Sequence, residues 1–246
     1  MVHDMADRRH MQSFVESLTI LLPYFPVGTM ERVDHEGTVA TANTYGIMLS
    51  NLPRAGKPSR LMIYDIHTLQ NRFYFHDAVT PSLHSAIPLL IDKLKAYPQI
   101  KSVAFPDEGA AKRFSHVFAA AGYSAIICGK VRRGNERIVT IHDGVQEAPG
   151  NAVCVVDDLV QTGGTLAKCA TALKEAGASH VYAFVAHAVF PHDSWRAFCR
   201  GGELDCFERF WTTNSTMISK DLPEDDVFET LDLLPQFVRD LDGYYV

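Results

Sequence analysis

Residues 153–166 read VCVVDDLVQTGGTL, so four apolar residues run straight into the pair Asp157 and Asp158, and a Thr-Gly-Gly-Thr turn follows at 162–165. A glycine-rich turn that opens a helix aims backbone N–H groups at an anion. The helix dipole adds to the attraction, and glycine lets the anion come close. The hydroxyls of Thr162 and Thr165 add donors. Two carboxylates cannot hold that same anion; they suit hydroxyl groups or a divalent cation. A sugar phosphate satisfies both demands, with hydroxyls at one end and a phosphate at the other. A capped strand-to-helix turn with solvated aspartates is the plainer alternative. Two aspartates at the strand end, with threonine on both sides of the glycines, favour the ligand.

Two other apolar runs end on polar chemistry: YDIH at 64–67, with Asp65 and His67, and FPDEG at 105–109, with Asp107, Glu108 and Gly109. A fourth group is basic, GKVRRGNER at 129–137, with Lys130, Arg132, Arg133 and Arg137. In a chain of net charge −6, a merely solvated basic hairpin is the weaker reading of that cluster. Lys112 and Arg113 are equally well read as ordinary solvated helix residues or as part of the site, and His187 is a borderline candidate.

The elements that must position these groups are legible from periodicity. Apolar runs at 17–25, 59–67, 101–109, 123–131, 151–159 and 180–190 have the unbroken character of strands buried on both faces of a parallel sheet. Helical spacing marks 85–97, 110–123 and 165–178, each near a Pro or Gly stop. Strand and helix alternating in this way predict an α/β fold with right-handed crossovers. Ligands of open parallel sheets lie at the carboxyl ends of strands, so the ends at 65–67, 107–109 and 157–158 are expected to face one site or two adjacent ones.

Bulk properties narrow the class. The 246 residues, 47% hydrophobic and 21% charged, suit one large α/β domain or two smaller ones. The acidic balance argues against a general nucleic-acid binder. Five cysteines without a CxxC pair read as a reducing compartment with no disulfide framework. No stretch suits a membrane span, and MVHDMADRRHMQSF lacks the apolar core of a secretory signal. The expected location is cytoplasmic.

The stretch VVDDLVQTGGTL resembles the phosphoribosyl-diphosphate (PRPP) loop shared by phosphoribosyltransferases and PRPP synthetases. YDIHTLQNRFYF, IPLLIDKL, AFPDEGAAKRF and CGKVRRGNERIV then follow in the order of the ribose-phosphate diphosphokinases, and PYFPVGTMERVDHEGTVATA at 23–42 is similar to the plant-type, class II group. The resemblance runs from about residue 11 to the end of the chain.

That resemblance implies a homo-oligomeric enzyme that moves the diphosphate of ATP onto the C1 hydroxyl of ribose 5-phosphate, with Mg²⁺, giving PRPP and AMP for nucleotide biosynthesis. It implies two phosphoribosyltransferase-like α/β domains with mainly parallel sheets. The first, 1–87, is expected to be incomplete at its start and short of an adenine-contacting segment. The second covers 88–227, and 228–246 is expected to pack back on the first. Asp157, Asp158, Gln161, Thr162, Gly163, Gly164 and Thr165 are implied to hold ribose 5-phosphate. Gln161 stands where many members carry another aspartate. Lys130, Arg132 and His67 are the implied catalytic residues. Arg32, Asp107, Glu108 and Gly109 fall on the nucleotide and diphosphate side, and His67 and Asp107 are the implied metal ligands. GKVRRGNER matches the mobile catalytic loop, and WTTNS at 211–215 is read as supporting the fold. A PRPP-consuming phosphoribosyltransferase and a catalytically weak associated subunit are the alternatives; the first leaves YDIH and GKVRRGNER without a task.

Overall fold

The computed structural model describes residues 16–33, 35–52, 57–133 and 136–243; for 130–133, 136 and 137 it describes the backbone alone. The chain divides into two units, one ending at Ser85 and the next beginning at Ala86.

The first unit contains β1 (Thr19–Leu22), α1 (Thr41–Ser50), β2 (Ser59–Tyr64) and β3 (Val79–His84), with a 3₁₀ segment at Leu69–Tyr74. Its strands form a parallel sheet in the order β1-β2-β3. Leu61, Met62, Ile63 and Tyr64 are all fully buried in the central strand, as a strand covered on both faces demands. Phe25, Ala42, Leu61, Ile63, Ile66 and Val79 make the core of this unit.

The second unit runs through α2 (Ile87–Leu94), β4 (Ile100–Phe105), α3 (Glu108–Ala120), β5 (Ser124–Arg133), β6 (Glu136–Asp143), β7 (Ala152–Val160), α4 (Gly164–Glu175), β8 (His180–Ala188), β9 (Phe210–Thr213), β10 (Phe228–Leu231) and α5 (Leu234–Asp242). A 3₁₀ segment, Pro191–Phe198, follows β8. The sheet order is β10-β9-β8-β7-β4-β5-β6. Every neighbour is parallel except β6, which runs antiparallel to β5. From β4 the chain steps outward through β5 and β6; from β7 it steps the other way through β8 to β10. The direction reverses between β4 and β7, and open α/β sheets bind ligands at such a switch.

Alternation along the strands sends successive side chains to opposite faces. Ala104, Val153 and Val155 share a core with Leu166, Cys169, Ala170 and Leu173 of α4. Phe105, one residue on from Ala104, meets Phe118 of α3 at 6.1 Å between ring centres. The two helices that flank the switch therefore cover opposite faces.

Residues 228–246 belong to the second unit, where Phe228–Leu231 is the edge strand of the sheet, paired with β9. Phe228 is fully buried against Phe190, Trp195 and Phe210, Glu229 pairs with Lys93 of α2 and accepts from Trp211 Nε1, and Arg239 reaches Asp92 at 3.2 Å. An aromatic strand residue with an acidic neighbour that pairs inside this unit fixes the segment here. The backbone of GKVRRGNER continues β5 and enters β6 as a ladder that pairs Arg132 with Arg137 and Arg133 with Glu136, while residues 134 and 135 lie outside the described residues. Of the three acidic strand ends, those of β4 and β7 are neighbours in one sheet, and that of β2 belongs to the sheet of the first unit.

Candidate active site

β7 is longer than β4. Its pairing with β4 runs to Val155, whereas its pairing with β8 runs on to Val160. Asp157 and Asp158 thus project past the end of β4, at the switch. On the other side of the switch Asp107, two residues beyond the end of β4, caps α3, accepting the Ala110 N–H through Oδ1 at 3.0 Å.

The adjacent aspartates face different helices, as strand alternation requires. Asp158 lies on the α3 side, where Arg113 Nη1 reaches its Oδ2 at 3.3 Å, with the two side chains 17% and 7% exposed. Asp157 lies on the α4 side, half-buried, and its Oδ1 accepts the Asp158 N–H at 2.9 Å. Burial, first, and then the negative charges of Asp158 and Asp107 push the Asp157 carboxyl well above the ordinary carboxylate range. The pair is one compensated carboxylate and one that gains from a cation or hydroxyl donors.

The anion turn follows. Gln161 and Thr162 are exposed. Gly163 precedes α4 with φ +78°, and a Cβ there would fall 2.3 Å from Phe198 Cζ; both facts demand glycine. A Cβ on Gly164 would meet nothing within 4 Å, so the first turn of α4, with Thr165 half-buried beside it, opens on free space.

The other sequence-predicted residues fall in several places. Glu108 and Lys112 form an exposed i, i+4 pair on α3 at 3.3 Å, the solvated-helix alternative for Lys112. Gly109 is in the first turn of α3. Lys130 and Arg132 have their backbone in β5, opposite Val139 and Arg137; their side chains lie outside the described residues. His67 is exposed in the first unit, just beyond β2. Asp65 before it is buried, with φ +41°, and accepts from Ser85 Oγ at 2.6 Å, joining the carboxyl ends of β2 and β3. Arg32 is 80% exposed and pairs with Glu31 at 3.3 Å. His187 is buried at the end of β8 and shares a 2.8 Å hydrogen bond with Ser215, while Thr213 Oγ1 donates to the Ala186 carbonyl at 2.6 Å.

Sequence reasoning missed two features. Arg113 was left undecided; the signal was that one of two consecutive strand aspartates must face α3. A bulge at the root of the β5–β6 ladder was not foreseen. The register slips between Ile127 and Cys128, leaving His142 as the extra residue, and the His142 ring lies where a Cβ of Gly129 would be, 2.2 Å from Cε1. Bulges re-aim strands beside sites, and this one ends at Cys128, two residues before Lys130.

Comparison with known proteins follows from this geometry. No family model matches the chain. Ribose-phosphate pyrophosphokinase 3, chloroplastic, of Arabidopsis thaliana is 45% identical over 227 residues, which is 89% of this chain and 54% of that protein. Ribose-phosphate pyrophosphokinase 4 of Oryza sativa subsp. japonica is 44% identical over 227 residues, 89% of this chain and 69% of that protein. The chain belongs to the ribose-phosphate pyrophosphokinase family. It spans about half the length of the chloroplastic relative. Among solved structures, phosphoribosylpyrophosphate synthetase from Mycobacterium smegmatis superimposes with a TM-score of 0.72 at 20% identity, over 98% of this chain and 77% of that one, which establishes the shared α/β fold. The pyrophosphokinase fold thus supplies two sheets, and the switch point lies in the second. Among the described residues no helix is long and apolar enough to cross a membrane, and no group of three or more His, Cys, Asp or Glu could hold a metal ion by itself.

Proposed function

We propose that the chain is a ribose-phosphate diphosphokinase that makes PRPP and AMP from ATP and ribose 5-phosphate. The observation that carries this reading is the pairing of Asp157 and Asp158 with the Gln161–Thr165 turn at the β4/β7 switch. Family membership supports it. In this reading the first turn of α4 takes the 5′-phosphate on its N–H groups and the Thr162 and Thr165 hydroxyls. Asp157 accepts from the ribose hydroxyls, and Asp158, charge-balanced by Arg113, shapes the other side. The anomeric hydroxyl oxygen then bonds to the β-phosphorus of ATP and gives up its proton to water, the bond from that phosphorus to the α,β-bridging oxygen breaks, and AMP departs with that oxygen. Positioning and charge neutralisation supply most of the rate in such a transfer. Lys130 and Arg132 are assigned the neutralising role, Arg133 and Arg137 a supporting one. His67 and Arg32 are assigned to the ATP phosphates, with Asp107, Glu108 and Gly109 at the diphosphate.

Mg²⁺ is the implied ion, and it shields the charge of the triphosphate. It prefers oxygen and is commonly held by one or two carboxylates plus substrate phosphates and water. That habit fits a site with carboxylates at Asp157 and Asp107 and no three-residue cage among the described residues. Asp107 suits the ion; the imidazole of His67 suits a phosphate oxygen better. We also assign a homo-oligomer and a reducing compartment, the cytoplasm. The deciding assay measures AMP and PRPP from Mg-ATP and ribose 5-phosphate, with Lys130→Ala alongside. Both products from the parent and a fall of about 100-fold or more in kcat for the variant are expected; a parent that releases no AMP ends the reading.

A further inference from the structure

Beyond β8 the backbone enters a conformation that side chains avoid. Phe190 has φ +40°, His192 φ +55° and Asp193 φ +57°. None is glycine, and such residues persist only where their surroundings fix them. Here the fixing is by aromatic anchors. Phe190, Trp195 and Phe198 are buried. Phe190 and Phe198 rings lie 5.9 Å apart, Trp195 meets Phe228 edge-on at 6.4 Å, and Phe198 stacks on Phe207 at 5.9 Å. On the outside, Arg196 covers the Trp195 ring at 4.5 Å and pairs with Asp193 at 3.5 Å.

The segment held this way runs over the anion turn. Ser194 Oγ donates to the Gln161 carbonyl at 3.2 Å. The Phe198 ring fills the volume that a Gly163 side chain would need. The first contact sets a peptide plane: the C=O of Gln161 and the N–H of Thr162 are opposed in one rigid unit, so holding the carbonyl toward Ser194 turns the Thr162 N–H to the other side. The second contact excludes every residue but glycine at the left-handed position that starts α4. Two consecutive links of the turn are therefore set from a segment remote in sequence.

We propose that Pro191–Phe198 is a strap that positions the phosphate turn, with Ser194 and Phe198 as positioning residues for ribose 5-phosphate. This rests on the reading of that turn given above. The test compares Ser194→Ala and Ser194→Thr with the parent, by calorimetric binding of ribose 5-phosphate and by steady-state kinetics. Loss of one hydrogen bond predicts a rise of about 3- to 10-fold in the Kd and KM for ribose 5-phosphate. The KM for ATP, kcat and Tm should stay within experimental error, and Ser194→Thr, which keeps a hydroxyl, should restore binding. Phe198→Leu should weaken binding in the same direction. Unchanged ribose 5-phosphate affinity in Ser194→Ala, or a loss of Tm that tracks the loss of affinity, overturns the strap. A parent that binds ribose 5-phosphate but releases no AMP overturns the synthetase reading alone, since the strap is still judged by Kd. A parent that does not bind ribose 5-phosphate overturns both.

Discussion

Asp157 is held in a place that suits it poorly until something binds. Its folded pKa is raised above the ordinary 3.8 by burial and by the neighbouring carboxylates. The ionised form is therefore less stable in the fold than in the unfolded chain. The relative gain from the protonated form is complete below about 3.8 and is lost as pH rises through the folded value. Asp157→Asn should match the parent in stability near pH 4 and exceed it increasingly as pH climbs, while ribose 5-phosphate affinity falls. Denaturant unfolding across pH checks the first part; identical curves at every pH would show that the carboxylate carries no penalty. The same residue shows what sequence could and could not say. The DD pair was legible as chemistry. That the two residues face opposite helices follows from strand alternation; which of them meets Arg113 depends on which helix covers which face, and no local pattern encodes that.

At the scale of elements, legibility followed burial on both faces. β4, β7 and β8 are continuous apolar runs and were found from them. β10 is four residues, FETL, too short for a periodic signal, and its place beside β9 depends on tertiary pairing. β3 contains Pro81, tolerated at the edge of its sheet, and α1, TANTYGIMLS, has no apolar stripe and carries Gly46 where a Cβ would lie 2.8 Å from Tyr74. Phe228 gives β10 its weight, because its ring closes the cluster under the strap. Phe228→Ala is expected to lower the unfolding free energy by about 3–5 kcal/mol, read by denaturant titration with near-ultraviolet circular dichroism. A loss below about 1 kcal/mol would mean that the edge strand contributes little to the second unit.

Across the whole molecule the five thiols report the two-sided packing of the larger sheet. Cys128, Cys154 and Cys169 are buried, and Cys169 donates to Cys128 at 3.2 Å between sulfurs. Cys199 and Cys206 are half-exposed; burial raises both, Cys206 to about 11. Native titration with a disulfide reagent near neutral pH should modify Cys199 and Cys206 slowly and the other three only on unfolding; rapid reaction of Cys154 would contradict a sheet covered on both faces. The sheet order has a kinetic meaning as well. Ala104 pairs with Val155 across all of α3 and the β5–β6 ladder. Every other pairing in this sheet joins strands consecutive in the chain. Closing that one seam requires the largest loop, and such long-range parallel contacts form slowly. The two halves of the sheet can assemble separately, and the crevice exists only once they are zipped together. A ligand that touches both Asp107 and Asp157 therefore acts as a clasp on the last seam to form, and it would slow the first rupture of the native state.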